Sequence, residues 1–255
     1  MVAVITGASS GIGRDMARYL SEKGYNLVIS ARNKEKLEEL KNEIEKDNKF
    51  VDIIIADLNK EEECKKLYSQ VKEKYEKIDL LVNNAGFGLC GRFIETDLET
   101  ELSMIDTNIK AVHTLTKLFL QDMVKVDEGR ILNVCSISGF MVGPLMATYY
   151  ATKNYILRLS QAIKEELKKE KSKVKISVLC PGPVKTNFDN VANVKFNLKG
   201  LSSEYVAKYA IDKALKDKFI IIPGIQMKIS RVLCKITPDS LVAKVCYHMQ
   251  RRKIH

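Results

Sequence analysis

The chain lacks several of the signatures that assign a function class directly. Its six cysteines, Cys64, Cys90, Cys135, Cys180, Cys234 and Cys246, form no CxxC pair and no regular spacing. They read as small buried apolar residues of a reducing compartment, so neither a disulfide framework nor a thiolate metal site is implied. The three histidines, His113, His248 and His255, make no ligand motif, and no metal site is expected. No apolar run approaches the roughly 18 residues that a bilayer-spanning helix requires. The first apolar run begins at Val2 and leaves no room for a signal peptide, so a cytoplasmic protein is expected. Lysine and arginine outnumber aspartate and glutamate by 42 to 32, a net charge of +10. Most of the lysines nevertheless sit in mixed-charge helical stretches such as NKEKLEELKNEIEKDNK, which read as solvated helix faces. Aromatic-flanked basic runs, zinc-finger spacings and basic tails are all missing, and no nucleic-acid partner is expected.

What is present is the composition of a folded domain, 45% hydrophobic and 29% charged over 255 residues. Short β-branched runs alternate with longer helical patterns. The strand candidates are VAVIT from Val2, NLVIS from Asn26, VDIIIA from Val51, IDLLVN from Ile78, RILNVCS from Arg130, VKISVLC from Val174 and FIII from Phe219. Each is apolar on both faces, as suits a parallel sheet covered by helices on both sides. Helical spacing runs through residues 12–23, 33–47, 60–77, 98–125, 149–171 and 203–216. The alternation predicts an α/β fold, a doubly wound parallel sheet of Rossmann type with about seven strands. No linker or repeat divides the chain. It reads as one domain over residues 1–255, with 224–255 as a helical lid or packing extension.

Two stretches carry chemistry. The first is TGASSGIG, Thr6 to Gly13, between the first strand and the first helix. Gly7, Gly11 and Gly13 let the backbone turn tightly against a pyrophosphate, whose charge meets the free N–H groups and positive dipole end of the helix. That position in a βαβ unit makes the turn a dinucleotide site. At the end of the second strand, where an NAD site places an acid, the chain has Ala31 followed by Arg32. No carboxylate repels a 2′-phosphate there, and a guanidinium is shaped to bind one. NADP(H) is therefore expected over NAD(H). The second stretch is MATYYATKNY, Met146 to Tyr155, in which Tyr149 alone has a lysine, Lys153, four residues on. That spacing puts phenol and ammonium on one helix face.

Together these residues resemble the short-chain dehydrogenase/reductase superfamily over nearly the whole chain. TGASSGIG is similar to its cofactor loop, with Ser9, Ser10 and Ile12 among the glycines. IADLN, holding Asp57 and Leu58, is similar to its adenine-contacting segment. NNAG, which brings Asn84, Ala85 and Gly86, is similar to the motif ending its fourth strand. Asn108 in DTNIKAV matches the catalytic asparagine, and NVCSISG, YYATK and CPGPVKT follow in family order. The resemblance implies Tyr149 as the acid and Lys153 as the group that lowers its pKa and holds the nicotinamide ribose. It implies Ser136, thirteen residues before the tyrosine, as hydrogen-bond donor to the substrate oxygen. Ser138 is then a loop or substrate-side residue. Asn108 would hold a water relaying protons to Lys153, its alternative being a polar helix residue facing solvent. Pro181, Gly182, Val184 and Thr186 would meet the nicotinamide. The stretch from NNAGFG to PGPVKT is most similar to a broad subgroup with varied or unassigned substrates.

The reaction so implied is hydride transfer between NADP(H) and a carbonyl compound or secondary alcohol, apolar if GFMVGPLM lines its pocket with the loops after Gly86, Gly139 and Phe188. A non-catalytic NADP(H)-binding regulator would keep the fold without needing the set Asn108, Ser136, Tyr149 and Lys153. The face Leu102, Ile105, Ile109, Val112, Leu115 and Phe119 belongs to a helix that the family uses for subunit contact, which implies a homodimer or homotetramer; the alternative is burial against the sheet. After the last strand, Ile225, Ile229, Val232, Leu233 and Ile236 share one face, and Leu241, Val242, Val245 and Met249 a second, before a basic QRRK end. Three readings stand: a packed helical pair, a lid over an apolar substrate, or a basic amphipathic face on an anionic membrane.

Overall fold

In a computed structural model, which describes residues 1–45, 50–186, 188 and 200–251, all seven apolar runs become strands of one parallel sheet. They are β1 (Val2–Thr6), β2 (Asn26–Ala31), β3 (Val51–Ile55), β4 (Leu80–Asn83), β5 (Arg130–Val134), β6 (Lys175–Leu179) and, after the short pair β7 (Val184–Lys185) and β8 (Leu201–Ser202), β9 (Ile220–Ile221). The order β3-β2-β1-β4-β5-β6-β9 reverses direction at β1, so the crevice between β1 and β4 is the topological switch point of a doubly wound sheet. Register is continuous there, with Val4 opposite both Val28 and Leu81.

Side chains of a strand alternate between faces, and this divides the core in two. Ala3 and Ile5 of β1 join Leu80 and Val82 of β4 on one face, beneath α1 (Gly11–Glu22), α2 (Lys34–Glu45) and α7 (Ser203–Leu215). Val4 and Leu81 point to the other face, beneath α3 (Glu61–Lys74), α5 (Val112–Lys125) and α6 (Ala147–Lys169). Burial on both faces is the reason the strand runs carry almost no charge.

Three expectations need correction or completion. The helix expected over 98–125 is two helices, α4 (Leu98–Ile105) and α5, separated by a π-helical turn, Asp106–Ala111. The wider turn rotates Asn108 inward, where it is fully buried rather than facing solvent. The apolar face along these helices divides: Val112, Leu115 and Phe119 are buried within the chain, Ile105 and Ile109 are half-buried, and Leu102 is exposed. The last part of the expected helix over 33–47 and the basic end beyond Arg251 lie outside the described residues, as does the loop after Phe188. The C-terminal pattern forms α8 (Ile225–Ile236) and α9 (Asp239–Arg251). No residue of α8 is buried, whereas α9 buries Val242, Cys246 and Gln250.

Candidate active site

The carboxyl ends of β1, β4 and β5 open into one cleft of about 930 Å3. At its first end lies the glycine turn. Gly7 and Gly11 adopt φ of +65° and +54°, a region that costs other residues about 1 kcal/mol or more. A Cβ on Gly13 would stand 2.3 Å from Asn84 Nδ2 and 2.5 Å from the Gly7 oxygen, so the turn closes only with glycine there. Asn84 holds it by donating from Nδ2 to the oxygens of Thr6 (3.0 Å) and Gly7 (3.1 Å). Thr6 Oγ1 in turn accepts from the N–H groups of Asn84 (3.0 Å) and Ala85 (3.1 Å). The first turn of α1 has no acidic residue and Ser10 makes no side-chain cap, which leaves the positive helix end open to an anion. Thr186 packs over Gly11, whose Cβ would lie 3.1 Å from its methyl. These features fit the pyrophosphate of a dinucleotide.

The adenosine end is shaped by β2 and β3. Arg32, exposed at the end of β2, lines the cleft and takes part in none of the ion pairs or hydrogen bonds among the described residues. The next residue, Asn33, caps α2 by accepting from Lys36 N at 2.7 Å, so no acid stands in that corner. Asp57 accepts from Asn59 N (3.3 Å) and with Leu58 forms the opposite wall.

At the other end Ser136, Tyr149 and Lys153 converge. Ser136 begins a 3-10 turn, Ile137–Phe140; its Oγ accepts from Ser138 N at 3.2 Å, and its hydroxyl stands beside the Tyr149 phenol. Lys153 Nζ donates to the Val134 oxygen (3.2 Å) and lies 5.7 Å from the centre of the Tyr149 ring. Behind them Asn108 Oδ1 accepts from Phe87 N (3.0 Å), while Nδ2 donates to the Phe87 oxygen (2.8 Å) and Thr152 Oγ1 (3.1 Å). Both amide hydrogens are thereby committed, and the side chain braces the loop after β4 against α6. Thr152 Oγ1 donates to the Tyr149 oxygen at 2.7 Å, so the brace reaches the tyrosine's own turn of helix.

Burial dominates the electrostatics. It pushes the Tyr149 phenol up to about 12, against the opposing hydrogen bonds of Ser136 and Ser138. It also holds the Lys153 ammonium below its ordinary value. The net direction at Tyr149 is therefore upward, because desolvation penalises the charged form of the phenol as it does that of Lys153.

All the cofactor-site and catalytic residues expected from the sequence line this cleft except Gly13 and Asn108, which stand directly behind its wall. Sequence reasoning missed Thr6, Thr152 and the contacts that close the apolar end. There Tyr150, not followed by a lysine, receives a hydrogen bond from Gln250 Nε2 at 2.6 Å across 100 residues of chain. Burial raises its phenol as well. Gln250 is buried and its Oε1 has no partner among the described residues. Phe188 stacks near Tyr149 with 5.5 Å between ring centres. Met227 of α8 lies so close to Gly182 that a Cβ there would meet its Sδ at 2.4 Å. No local pattern marks such contacts, since each joins residues far apart in the chain.

A parallel sheet in this order, with a glycine turn at its switch point and a buried tyrosine, lysine and serine beside it, defines an oxidoreductase of the dinucleotide-binding Rossmann class. Comparison narrows the class. Residues 1–195 match the short chain dehydrogenase family. An uncharacterised oxidoreductase of Staphylococcus saprophyticus is 38% identical over 187 residues, which cover 72% of this chain and 79% of that protein. An alcohol dehydrogenase from the archaeon Thermococcus sibiricus, solved with 5-hydroxy-NADP, superposes with a TM-score of 0.78 at 29% identity, over 87% of this chain and 94% of its own. A short-chain dehydrogenase/reductase of Burkholderia phymatum in complex with NAD shares the fold, with a TM-score of 0.84 at 23% identity over 91% and 92% of the two chains. The chain belongs to the short-chain dehydrogenase family.

Proposed function

We propose that this oxidoreductase transfers hydride between NADP(H) and the carbonyl carbon of an apolar substrate, or the corresponding secondary alcohol in reverse. The observation that carries this reading is the convergence of Ser136, Tyr149 and Lys153 in the cleft that begins at the glycine turn. The amides at the start of α1, with Gly7, Ser9, Gly11 and Ile12, would hold the pyrophosphate. Arg32 would bind a 2′-phosphate, and Asp57 and Leu58 would flank the adenine. Asn84, Ala85 and Gly86 on one side and Pro181, Gly182, Val184 and Thr186 on the other would enclose the nicotinamide riboside, with Lys153 on its ribose. The 29%-identical dehydrogenase solved with an NADP derivative supports that choice of dinucleotide.

When bound, the nicotinamide supplies the hydride. The chain supplies the proton. A phenol held near 12 stays protonated at neutral pH and can donate from its oxygen to the substrate oxygen. Ser136, whose hydroxyl stands beside the Tyr149 phenol, would polarise that oxygen as charge builds on it. The phenolate left behind would lie beside Lys153, whose ammonium form it favours. Asn108 would act by positioning, through Phe87 and Thr152. The apolar end, with Phe87, Met146, Phe188 and the two C-terminal helices, suits a large hydrophobic ketone or alcohol.

The test is an NADPH-oxidation screen over a panel of aldehydes and ketones, with NADH in parallel. Turnover of apolar ketones with NADPH is expected. A clear preference for NADH would remove the role given to Arg32, and no turnover of any carbonyl compound would remove the reading itself.

A further inference from the structure

The C-terminal helices carry a surface that the cleft chemistry does not use. Ile225, Ile229, Val232 and Ile236 of α8 are 67%, 54%, 60% and 74% exposed. Helical spacing places them on one side, opposite Met227 and Cys234, which face the body of the protein and line the cleft. Scattered apolar residues on a surface are ordinary, but a whole helix stripe turned outward is not.

Charge says what this stripe meets. Lys228 and Lys235 flank it on α8, and Lys244 and Arg251 stand on α9. None of the four is in an ion pair among the described residues. Some helix lysines elsewhere are partnered, as in Lys65–Glu61, Lys110–Asp106 and Lys208–Glu204, and others, such as Lys117 and Lys168, are in no ion pair among the described residues. Over residues 225–251 one carboxylate, Asp239, stands against these cations and Arg231. A second copy docked through the same face would set like charges against each other. Lys228 lies over the Tyr209 ring at 5.9 Å, but a lid closing on an apolar substrate leaves Lys235, Lys244 and Arg251 without a role.

The stripe is also continuous with the cleft. Leu233, Leu241, Val245 and Met249 line its outer end and are themselves 53%, 49%, 59% and 48% exposed. The apolar wall therefore runs from beside Tyr149 out to the exposed face. No helix among the described residues is long and apolar enough to cross a membrane, so any lipid contact is in the plane of the interface.

We infer that α8 and α9 form a docking surface for an anionic lipid bilayer, and that the cleft draws its apolar carbonyl substrate from that bilayer. The docking stands apart from the catalytic reading; the source of substrate rests on it. The experiment is co-sedimentation of the full chain with vesicles of phosphatidylcholine alone and of phosphatidylcholine mixed with phosphatidylglycerol. Binding to the mixed vesicles is expected to be about tenfold stronger or more and to weaken as salt is raised. Two double variants, Ile229→Glu with Ile236→Glu and Lys228→Glu with Lys235→Glu, should each lose about tenfold in vesicle binding. Both should keep the circular dichroism spectrum, NADPH affinity and turnover of a small water-soluble ketone. Failure of the full chain to sediment with mixed vesicles overturns the docking. So does equal, salt-independent binding to both compositions, or a dimer that the isoleucine variant splits while vesicle binding is nil. A long-chain ketone carried in mixed vesicles should be reduced several-fold more slowly by both variants. Unchanged turnover of that ketone, with vesicle binding lost, overturns the substrate source alone.

Discussion

At the scale of single residues the candidate site is a dry cleft, in which burial disfavours the charged forms of both Tyr149 and Lys153. Tyr149 is 8% exposed and Lys153 6%. Replacing the phenol by Tyr149→Phe should reduce kcat by about three orders of magnitude or more while leaving NADPH affinity within about twofold, as measured by steady-state rates and fluorescence titration. Tyr150→Phe should change turnover little. Because burial raises Tyr149 to about 12, kcat/KM for carbonyl reduction should stay level from about pH 7 to about pH 9. A limb near neutrality belonging to the tyrosine would contradict this. The same shift has a stability consequence. Its contribution is fully present below the ordinary tyrosine value of about 10 and is lost as pH rises through about 12. Denaturant midpoints should therefore fall over that alkaline range, and Tyr149→Phe should flatten the fall by an amount on the order of 2 to 3 kcal/mol.

Among the elements, the glycine turn and the π-helical turn do the positioning. Gly13→Ala would push a methyl into Asn84 Nδ2 and the Gly7 oxygen, which have little room to withdraw between β1 and β4. We expect NADPH binding to weaken by at least about tenfold, read by calorimetry, with the far-ultraviolet spectrum preserved. The π-helical turn is a common device where a side chain must be aimed. Asn108→Ala would leave the Phe87 N–H and C=O without their partner, at a cost of about 3 kcal/mol in a chemical denaturation curve. Loss of kcat beyond the loss of stability would separate positioning from mere folding. A buried network supports the same edge of the sheet: Asn83 Nδ2 donates to Thr116 Oγ1 and Asn133 Oδ1, and Asn133 Nδ2 to Ser160 Oγ. It ties β4, α5, β5 and α6 together beneath the site.

For the whole molecule, the cleft joins residues from the first strand to the last helix, so ligand binding should be felt globally. NADPH at about one hundred times its dissociation constant should add about 2.7 kcal/mol, a rise in Tm of several degrees in a thermal-shift assay. NADH at the same concentration should give a smaller rise, and Arg32→Asp should narrow the difference by weakening NADPH about 10- to 100-fold. Equal shifts from the two dinucleotides would count against a phosphate contact at Arg32.

The sequence by itself determined the sheet, most of the helix positions, the glycine turn and the placing of Lys153 one helical turn from Tyr149. Those features are written in short-range terms: continuous β-branched runs, helical spacing, glycines where φ must be positive, and a lysine one helical turn from a phenol. Tertiary structure alone decided the rest. The π-helical turn at Asn108 exists because an amide finds Phe87, 21 residues away. The rise of the Tyr149 pKa is the desolvation of a cleft built from distant segments, which no local spacing records. The pairing of Tyr150 with Gln250 closes the apolar end across 100 residues. Periodicity identified two amphipathic stripes near the C-terminus, but an apolar stripe has the same spacing whether it packs inward or faces out. Only the packing of Met227 on Gly182 decides that α8 turns its isoleucines away from the body of the protein.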